Sequence, residues 1–258
     1  MKIIEWENAG DSGGEITGTP AALSIGVFDG VHRGHQALIQ RVVSCGPTPW
    51  VITFRQHPRG VLKGDHHGDI YSLKQKLEIL ESMGIFGALL IDFSGNFSKL
   101  NGRTFVEGFR KRLRPVFLAV GSNFRCGYRL DTDAAALRSM TEAEGIRTEI
   151  LHPVLEGRHP VSSSRIRAAI RAGDLALAAL LLGRSLRIDL RDIVPAAAGA
   201  GFVYDMRAAR RVLPPDGLYH VAVSGRGGTG EAEIEINGGR IIVPRRREEA
   251  VTEIEFKT

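Results

Sequence analysis

The chain has 258 residues, 43% of them hydrophobic and 24% charged, with a formal net charge of +5 and an isoelectric point near 9.5. That is enough chain for one large or two modest domains with a real core, and the composition excludes a disordered, collagenous or disulfide-framework protein. No apolar run reaches membrane-spanning length, and the basic balance suits either nucleic acid or phosphorylated small molecules.

In chain order, Met1-Lys2-Ile3-Ile4-Glu5-Trp6 lacks the basic segment and long apolar core of an export signal, which points to the cytoplasm and to no membrane partner. Ala21 to Ile25 predicts a short buried strand, after which glycines and an aspartate break the extended chain in Ile25-Gly26-Val27-Phe28-Asp29-Gly30-Val31-His32-Arg33-Gly34-His35. From Gln36 to Val43 the apolar residues recur at helical spacing, so His32 and His35 belong to the loop and first turn between strand and helix. Free backbone N–H groups and the positive end of a helix dipole meet at such a junction, and glycines at 26, 30 and 34 let a ligand approach the backbone. Two imidazoles three residues apart can both donate to phosphate oxygens as charge develops. A metal pair is the competing use of that spacing. No acidic or cysteine cluster accompanies the histidines, and the glycines favour a bulky anion.

Trp50 to Phe54 predicts a second strand, which delivers His57 and Pro58 to its carboxyl end; the polar stretch from Gly60 to Tyr71, with His66 and His67, reads as a long loop. Ser72 caps a predicted helix with a Leu73, Leu77, Leu80, Met83 stripe, ended by Gly84. Strand Ala88–Asp92, helix Thr104–Leu113, strand Val116–Val120 and the polar turn Gly121-Ser122-Asn123-Phe124-Arg125-Cys126-Gly127 follow, then helix Asp133–Glu144 and strand Arg147–Leu151. This alternation predicts a Rossmann-like parallel sheet covered on both faces, with ligands beyond the carboxyl ends of its strands, where His32, His35, His57, Asn123 and Arg125 would gather.

Ser162-Ser163-Ser164-Arg165-Ile166-Arg167 opens another helix. One hydroxyl there is an ordinary cap, but three followed by Arg165 and Arg167 suit an anion cradle, because guanidinium forks match phosphate oxygens. A leucine-rich helix ends at Gly183. Beyond it Leu218–Val223, Glu231–Ile236, Arg240–Val243 and Val251–Phe256 alternate as short strands, with Asn237-Gly238 as a hairpin signal. The predicted organisation is an α/β domain over 1–183 and a small antiparallel, barrel-like β domain over 184–258. Cys45 and Cys126 read as incidental reduced thiols, and Arg245-Arg246-Arg247 as a solvated face. No zinc-finger, aromatic RNA-binding or coiled-coil pattern is present, so no nucleic-acid partner is expected.

From about Leu23 to Arg184 the chain resembles the bacterial FAD synthetases, which carry riboflavin kinase and FMN adenylyltransferase modules in one chain. The resemblance rests on the Ile25–His35 stretch, Thr53-Phe54 with His57-Pro58, Gly121–Arg125, Ser162–Arg167 and Gly173-Asp174-Leu175 through Gly183-Arg184. It implies transfer of AMP from ATP to FMN with release of pyrophosphate, with Mg²⁺ accompanying ATP. In those terms His32, His35 and Arg165 act on the phosphates; Gly26, Phe28, Asp29, Gly34, Ser162, Ser163, Ser164 and Arg167 complete the ATP site, Asp29 orienting the turn or the metal. His57, Pro58, Asn123 and Arg125 take the flavin side. No dedicated protein metal cage is expected, because Mg²⁺ bridges the phosphates and keeps several waters.

The C-terminal part departs from the family. The kinase module's Gly-Phe-Pro-Thr-Ala-Asn stretch is replaced by Ala200-Gly201-Phe202-Val203-Tyr204-Asp205-Met206, although Pro215-Asp216-Gly217-Leu218-Tyr219-His220-Val221 resembles its proline-glycine-tyrosine strand. The expectation is therefore an adenylyltransferase with a degenerate kinase-like module. The alternatives are a bifunctional kinase and adenylyltransferase, a nucleotidylyltransferase for another phosphorylated substrate, and a non-catalytic flavin or nucleotide sensor.

Overall fold

A run of apolar residues between two turn signals has one economical solution when it is too short for a helix: a strand buried on both faces. The computed structural model, which describes residues 1–8, 19–46, 48–56, 58, 68–93, 96–198, 201–244 and 250–257, realises this in the central strands of one six-stranded sheet. Its strands are β1 (Lys2–Glu5), β2 (Ala21–Ile25), β3 (Thr48–Phe54), β4 (Gly87–Ile91), β5 (Pro115–Gly121) and β8 (Arg147–Leu151). They lie in the order β1-β4-β3-β2-β5-β8, and every ladder is parallel. Two short ladders, β6 (Arg125–Cys126) with β7 (Thr132–Asp133) and β9 (Leu155–Glu156) with β10 (His159–Pro160), are antiparallel.

The helices between these strands are α1 (Arg33–Cys45), α2 (Leu73–Ser82), α3 (Gly102–Leu113) and α4 (Ala134–Ala143). Alternate residues of β2 divide its surroundings. Ala21, Leu23 and Ile25 join Trp50, Ile52, Leu89, Ile91, Leu118 and Val120 in a core closed by Phe105, Phe109, Leu113 and Leu137. Helix α1, with Leu38, Ile39 and Val42 buried, packs against β2, β3 and β5. Gly87 has a steric reason: a Cβ there would stand 2.6 Å from the Trp50 ring. Strand β1 was not foreseen, because Lys2-Ile3-Ile4-Glu5 is a short edge strand carrying charge at both ends.

By contacts the chain forms two compact units, 1–65 with 76–160 and 66–75 with 161–258. Helix α2 therefore starts in the second and continues in the first, and the segment 161–183, expected with the α/β domain, groups with the C-terminal residues. The second unit contains α5 (Ser163–Arg171) and α6 (Leu175–Leu182). It also holds β11 (Arg187–Asp189), β12 (Ala196–Ala198), β13 (Gly201–Asp205), β14 (Gly217–Gly225), β15 (Gly228–Asn237), β16 (Arg240–Pro244) and β17 (Val251–Phe256). These form an antiparallel sheet in the order β11-β17-β14-β15-β16-β13-β12, which buries Tyr204, Val221, Ile234, Ile236, Ile241, Val243, Ile254 and Phe256. The hairpin between β15 and β16 sits one residue later than predicted. Asn237 pairs with Arg240, leaving Gly238 (φ 56°) and Gly239 (φ 75°) as the turn, both in the left-handed region that a tight hairpin requires. Of the predicted long loop, only 68–71 is described; Asp69 there bridges to Arg211. His66, His67 and Arg245 to Arg247 lie outside the described residues.

Ser72 does cap α2, reciprocally. Its Oγ accepts from the Gln75 N–H at 3.0 Å while Gln75 Oε1 accepts from the Ser72 N–H at 3.2 Å. The same hydroxyl donates to buried Asp189 at 2.7 Å, whose carboxylate also accepts from Arg191 Nε at 2.7 Å. Burial works against ionisation of Asp189, but the bonds from Arg191 and Ser72 more than offset it and hold the carboxyl below the ordinary aspartate range. Asp189→Asn should cost about 2–3 kcal/mol in urea unfolding at pH 7, since it leaves charge and donors unmatched. Because the folded value is the depressed one, this contribution is complete above pH ~4 and disappears as the pH falls through the folded value, where wild type and variant converge.

Candidate active site

Strand β2 lies between β3 and β5, and chain order reverses there: β3 and β4 lie on one side, β5 and β8 on the other. The crevice beyond the carboxyl end of such a strand is where parallel sheets place ligands. The chain leaves the sheet at Gly26, whose N–H still donates to the Ile52 carbonyl at 3.1 Å. It then passes through a turn in which Phe28 (φ 53°), Gly30 (φ 79°) and Val31 (φ 39°) are all left-handed. For Phe and branched Val this backbone is strained, and both side chains are fully buried, so packing imposes it.

Three contacts clamp the turn. The Val31 N–H donates to the Phe28 carbonyl at 3.1 Å; Gln36 Nε2 donates to the Val31 carbonyl at 2.9 Å; Thr53 Oγ1 donates to the Val27 carbonyl at 3.1 Å. His32 ends the turn as N-cap of α1, its Nδ1 accepting from the His35 N–H at 3.4 Å. The two imidazole rings stack, centroids 3.6 Å apart and 18° from parallel, and the Phe28 ring meets His35 edge-on at 5.2 Å. Gly26 lies under that ring: a Cβ there would be 3.3 Å from Phe28 Cζ. His35 Nδ1 is buried without a hydrogen-bond partner among the described residues. Desolvation first, then the neighbouring His32 and Lys76, push the His35 pKa well below its ordinary value. Asp29 is buried within the turn and Gly34 half-buried on the first turn of α1. Arg33 pairs with Glu156 of β9.

Of the flavin-side candidates, Asn123 and Arg125 are exposed in the turn after β5, the immediate neighbour of β2. Half-buried Pro58 follows β3, and His57 lies outside the described residues. Among the described residues no group of three or more His, Cys, Asp or Glu gathers in a metal-holding cluster, and no helix is long and apolar enough to cross a membrane.

In the second unit Ser162 is the N-cap of α5, its hydroxyl accepting from the Arg165 N–H at 3.3 Å, so this serine does what caps ordinarily do. Ser163 and Arg165 are half-buried and Ser164 is exposed. Arg167 is buried, its Nε donating to the Gly68 carbonyl at 2.8 Å, which turns one edge of the fork inward as a brace.

Sequence reasoning passed over Lys76 and the role of Gln36, and it named Thr53 only as part of a family motif. Lys76 left a signal: it stands on the stripe Leu73, Lys76, Leu77, Leu80, where helical spacing calls for an apolar residue. It is 7% exposed, and Nζ donates to the Phe54 carbonyl at 2.7 Å, Thr53 Oγ1 at 3.2 Å and the Val27 carbonyl at 3.3 Å.

A parallel sheet with a glycine-flanked turn and paired imidazoles at its switch point is the frame of this α/β enzyme, a nucleotidyltransferase by the family and relatives it matches. The family model for FAD synthetase matches residues 16–165, more than half of the chain, and the chain belongs to that family. It is 33% identical over 214 residues to the bifunctional riboflavin kinase/FMN adenylyltransferase of Escherichia coli (strain K12), a match covering 80% of this chain and 68% of that one. The bifunctional riboflavin kinase/FMN adenylyltransferase of Haemophilus influenzae is 30% identical over 78% of this chain and 68% of its own. FAD synthetase 2, chloroplastic, of Arabidopsis thaliana is 28% identical over 76% and 59%. A solved structure titled macrolide-efflux protein, from Streptococcus pneumoniae, superposes with a TM-score of 0.82 at 23% identity, over 99% of this chain and 89% of that one, a likeness of fold.

The His35 environment has a direct readout. In the ligand-free protein its imidazole should titrate well below pH 6.5 by NMR and be neutral at pH 7; titration at or above 6.5 contradicts the stacked, desolvated arrangement.

Proposed function

We propose that this chain joins ATP and FMN to give FAD and pyrophosphate and does not phosphorylate riboflavin. The observation that carries the transfer is the stacked His32–His35 pair at the switch-point turn of a chain that belongs to the FAD synthetase family. An oxygen of the FMN phosphate attacks the α-phosphorus of ATP; the bond to the bridging oxygen breaks, and its electron pair leaves with pyrophosphate. The nucleophile is already anionic, so the protein needs no covalent intermediate. Its task is alignment and charge neutralisation. Imidazole N–H groups donating to phosphate oxygens, turn N–H groups and the α1 dipole supply this from one side. Mg²⁺ enters as part of the substrate Mg–ATP and neutralises the leaving pyrophosphate.

On this reading residues 1–183 form the adenylyltransferase module. Gly26, Phe28, Asp29 and Gly34 shape the phosphate turn. Ser163, Ser164 and Arg165 bind the β- and γ-phosphates, with Ser162 and Arg167 in supporting roles as cap and brace. Asn123, Arg125 and the His57-Pro58 segment take the flavin, and small phosphorylated molecules rather than nucleic acid are the partners. The missing kinase activity is argued from 200–206, where the family's metal-binding threonine and asparagine are replaced. Here Gly201–Asp205 runs as β13, laddered to β12 and β16, and Tyr204 turns inward to exchange hydrogen bonds with the N–H and carbonyl of Val251. The relatives named bifunctional make the second reading concrete, and one assay separates the two.

With ATP and Mg²⁺, FMN should yield FAD while riboflavin yields neither FMN nor FAD; product from riboflavin establishes the bifunctional reading, and silence with both substrates overturns the enzyme assignment. His35→Ala should lower kcat by about two to three orders of magnitude with a smaller loss of flavin affinity, as for a group acting on developing charge. Arg165→Lys should lower kcat/KM for ATP about tenfold, because a point charge does not reproduce the guanidinium fork; wild-type values would move the phosphate grip elsewhere.

A further inference from the structure

We infer that Lys76 is a positioning residue of this site, its buried ammonium tying the carboxyl ends of β2 and β3 together so that the strained turn holds His32 and His35 against the substrate phosphates. The inference rests on the adenylyltransferase reading and adds a residue to it. Three features carry it. Lys76 occupies the buried stripe of α2, where an apolar side chain would pack at lower cost. Its three N–H donors find three oxygens, the Val27 and Phe54 carbonyls and the Thr53 hydroxyl, none on its own helix. One of those carbonyls belongs to the residue immediately before Phe28, where the left-handed turn begins.

A purely structural lysine would bury its stem and send its head to water. This one is spent on the backbone at the root of the phosphate turn. Thr53 completes the tie, accepting from Lys76 and donating to Val27, so both strand ends share one small network. The network faces His35 electrostatically. Among the described residues, the titratable groups that act on that ring are His32 from the turn and Lys76 from α2, while Arg33 beside it is paired with Glu156. Lys76 therefore fixes the turn by hydrogen bonds and keeps a positive potential where anionic oxygens must come.

The test uses the full chain with Lys76→Met, Lys76→Arg and Thr53→Val, read by FAD synthesis, thermal unfolding and NMR titration of His35. Lys76→Met should lower kcat about 10- to 100-fold while KM for FMN changes less than about threefold, since a displaced turn misplaces the reacting phosphate. Its His35 should titrate at higher pH than in wild type, because a neighbouring positive charge has gone. Lys76→Arg should keep the low His35 titration but recover kcat only in part, the planar fork being unable to reach the same three oxygens. Thr53→Val should give a smaller loss of kcat, about three- to tenfold, in the same direction. A folded Lys76→Met with wild-type kcat, or with a loss confined to KM for FMN, overturns the inference. Should Lys76→Met fail to fold, Thr53→Val decides, and unchanged kcat there overturns it. If wild type itself makes no FAD, the functional reading fails, and the placement of Lys76 stands or falls on whether its replacement moves the His35 titration.

Discussion

A buried parallel strand has to end somewhere, and its last peptide groups then lie in the interior without a ladder to satisfy them. Strand β2 meets this constraint in its strongest form, with parallel neighbours on both sides and every residue buried. The chain answers by holding a carbonyl just beyond the strand, that of Val27, with Thr53 and Lys76, and by closing the turn on itself through Phe28, Val31 and Gln36. Left-handed backbone at Phe28 and Val31 costs about 1–2 kcal/mol each, and a turn left to solvent would relax. It does not relax here because both side chains are buried. The left-handed turn is thus a by-product of how a central strand is terminated, and the stacked histidines inherit its rigidity from the core.

The electrostatics follow from the same packing. The His35 imidazole, stacked at 3.6 Å on His32 beside a buried ammonium, resists protonation and stays a neutral ring. On the function proposed above, each phosphate oxygen would find N–H groups already oriented, and the reorganisation that water would require at the moment of transfer would be avoided. The Cys126 thiol, on the ladder after β5, is pushed up to about 12 by burial and by Asp131, which leaves it protonated and weakly nucleophilic near neutral pH.

The second unit is stabilised differently. Its antiparallel sheet is stitched by glycine turns, and its local polar knots are compact: Asp189 with Ser72 and Arg191, Tyr204 with Val251, Arg167 with Gly68. One of these absorbs a group that a sequence reading would release for ligands: Arg167 belongs to the serine–arginine motif, yet its Nε is engaged by backbone. Tyr204, buried in β13, likewise spends its hydroxyl on the sheet. Stability and ligand binding compete for the same polar side chains, and only their surroundings show which has prevailed.

Much of this protein was determined by local sequence. Apolar runs of four to seven residues specified the central strands β2, β3, β4 and β5; the helical stripes and caps at Ser72, Asp133 and Ser162 located the helices; and the Gly26–His35 pattern marked the turn between β2 and α1, because these signals act within one or two turns of chain. What lay beyond local reach was decided by tertiary structure. The edge strand β1 is specified by its partner β4, not by its own residues, and the β15–β16 hairpin moved by one residue because register, not the Asn-Gly pair, chose which positions take positive φ. The grouping of 161–183 with the C-terminal residues, the inward Arg167, and above all Lys76 depend on groups distant in the chain. Val27, Thr53 and Phe54 lie 22 to 49 residues from Lys76, and its meaning emerges only when strand ends and helix are packed together, because burial is what makes a lysine seek backbone oxygens instead of water.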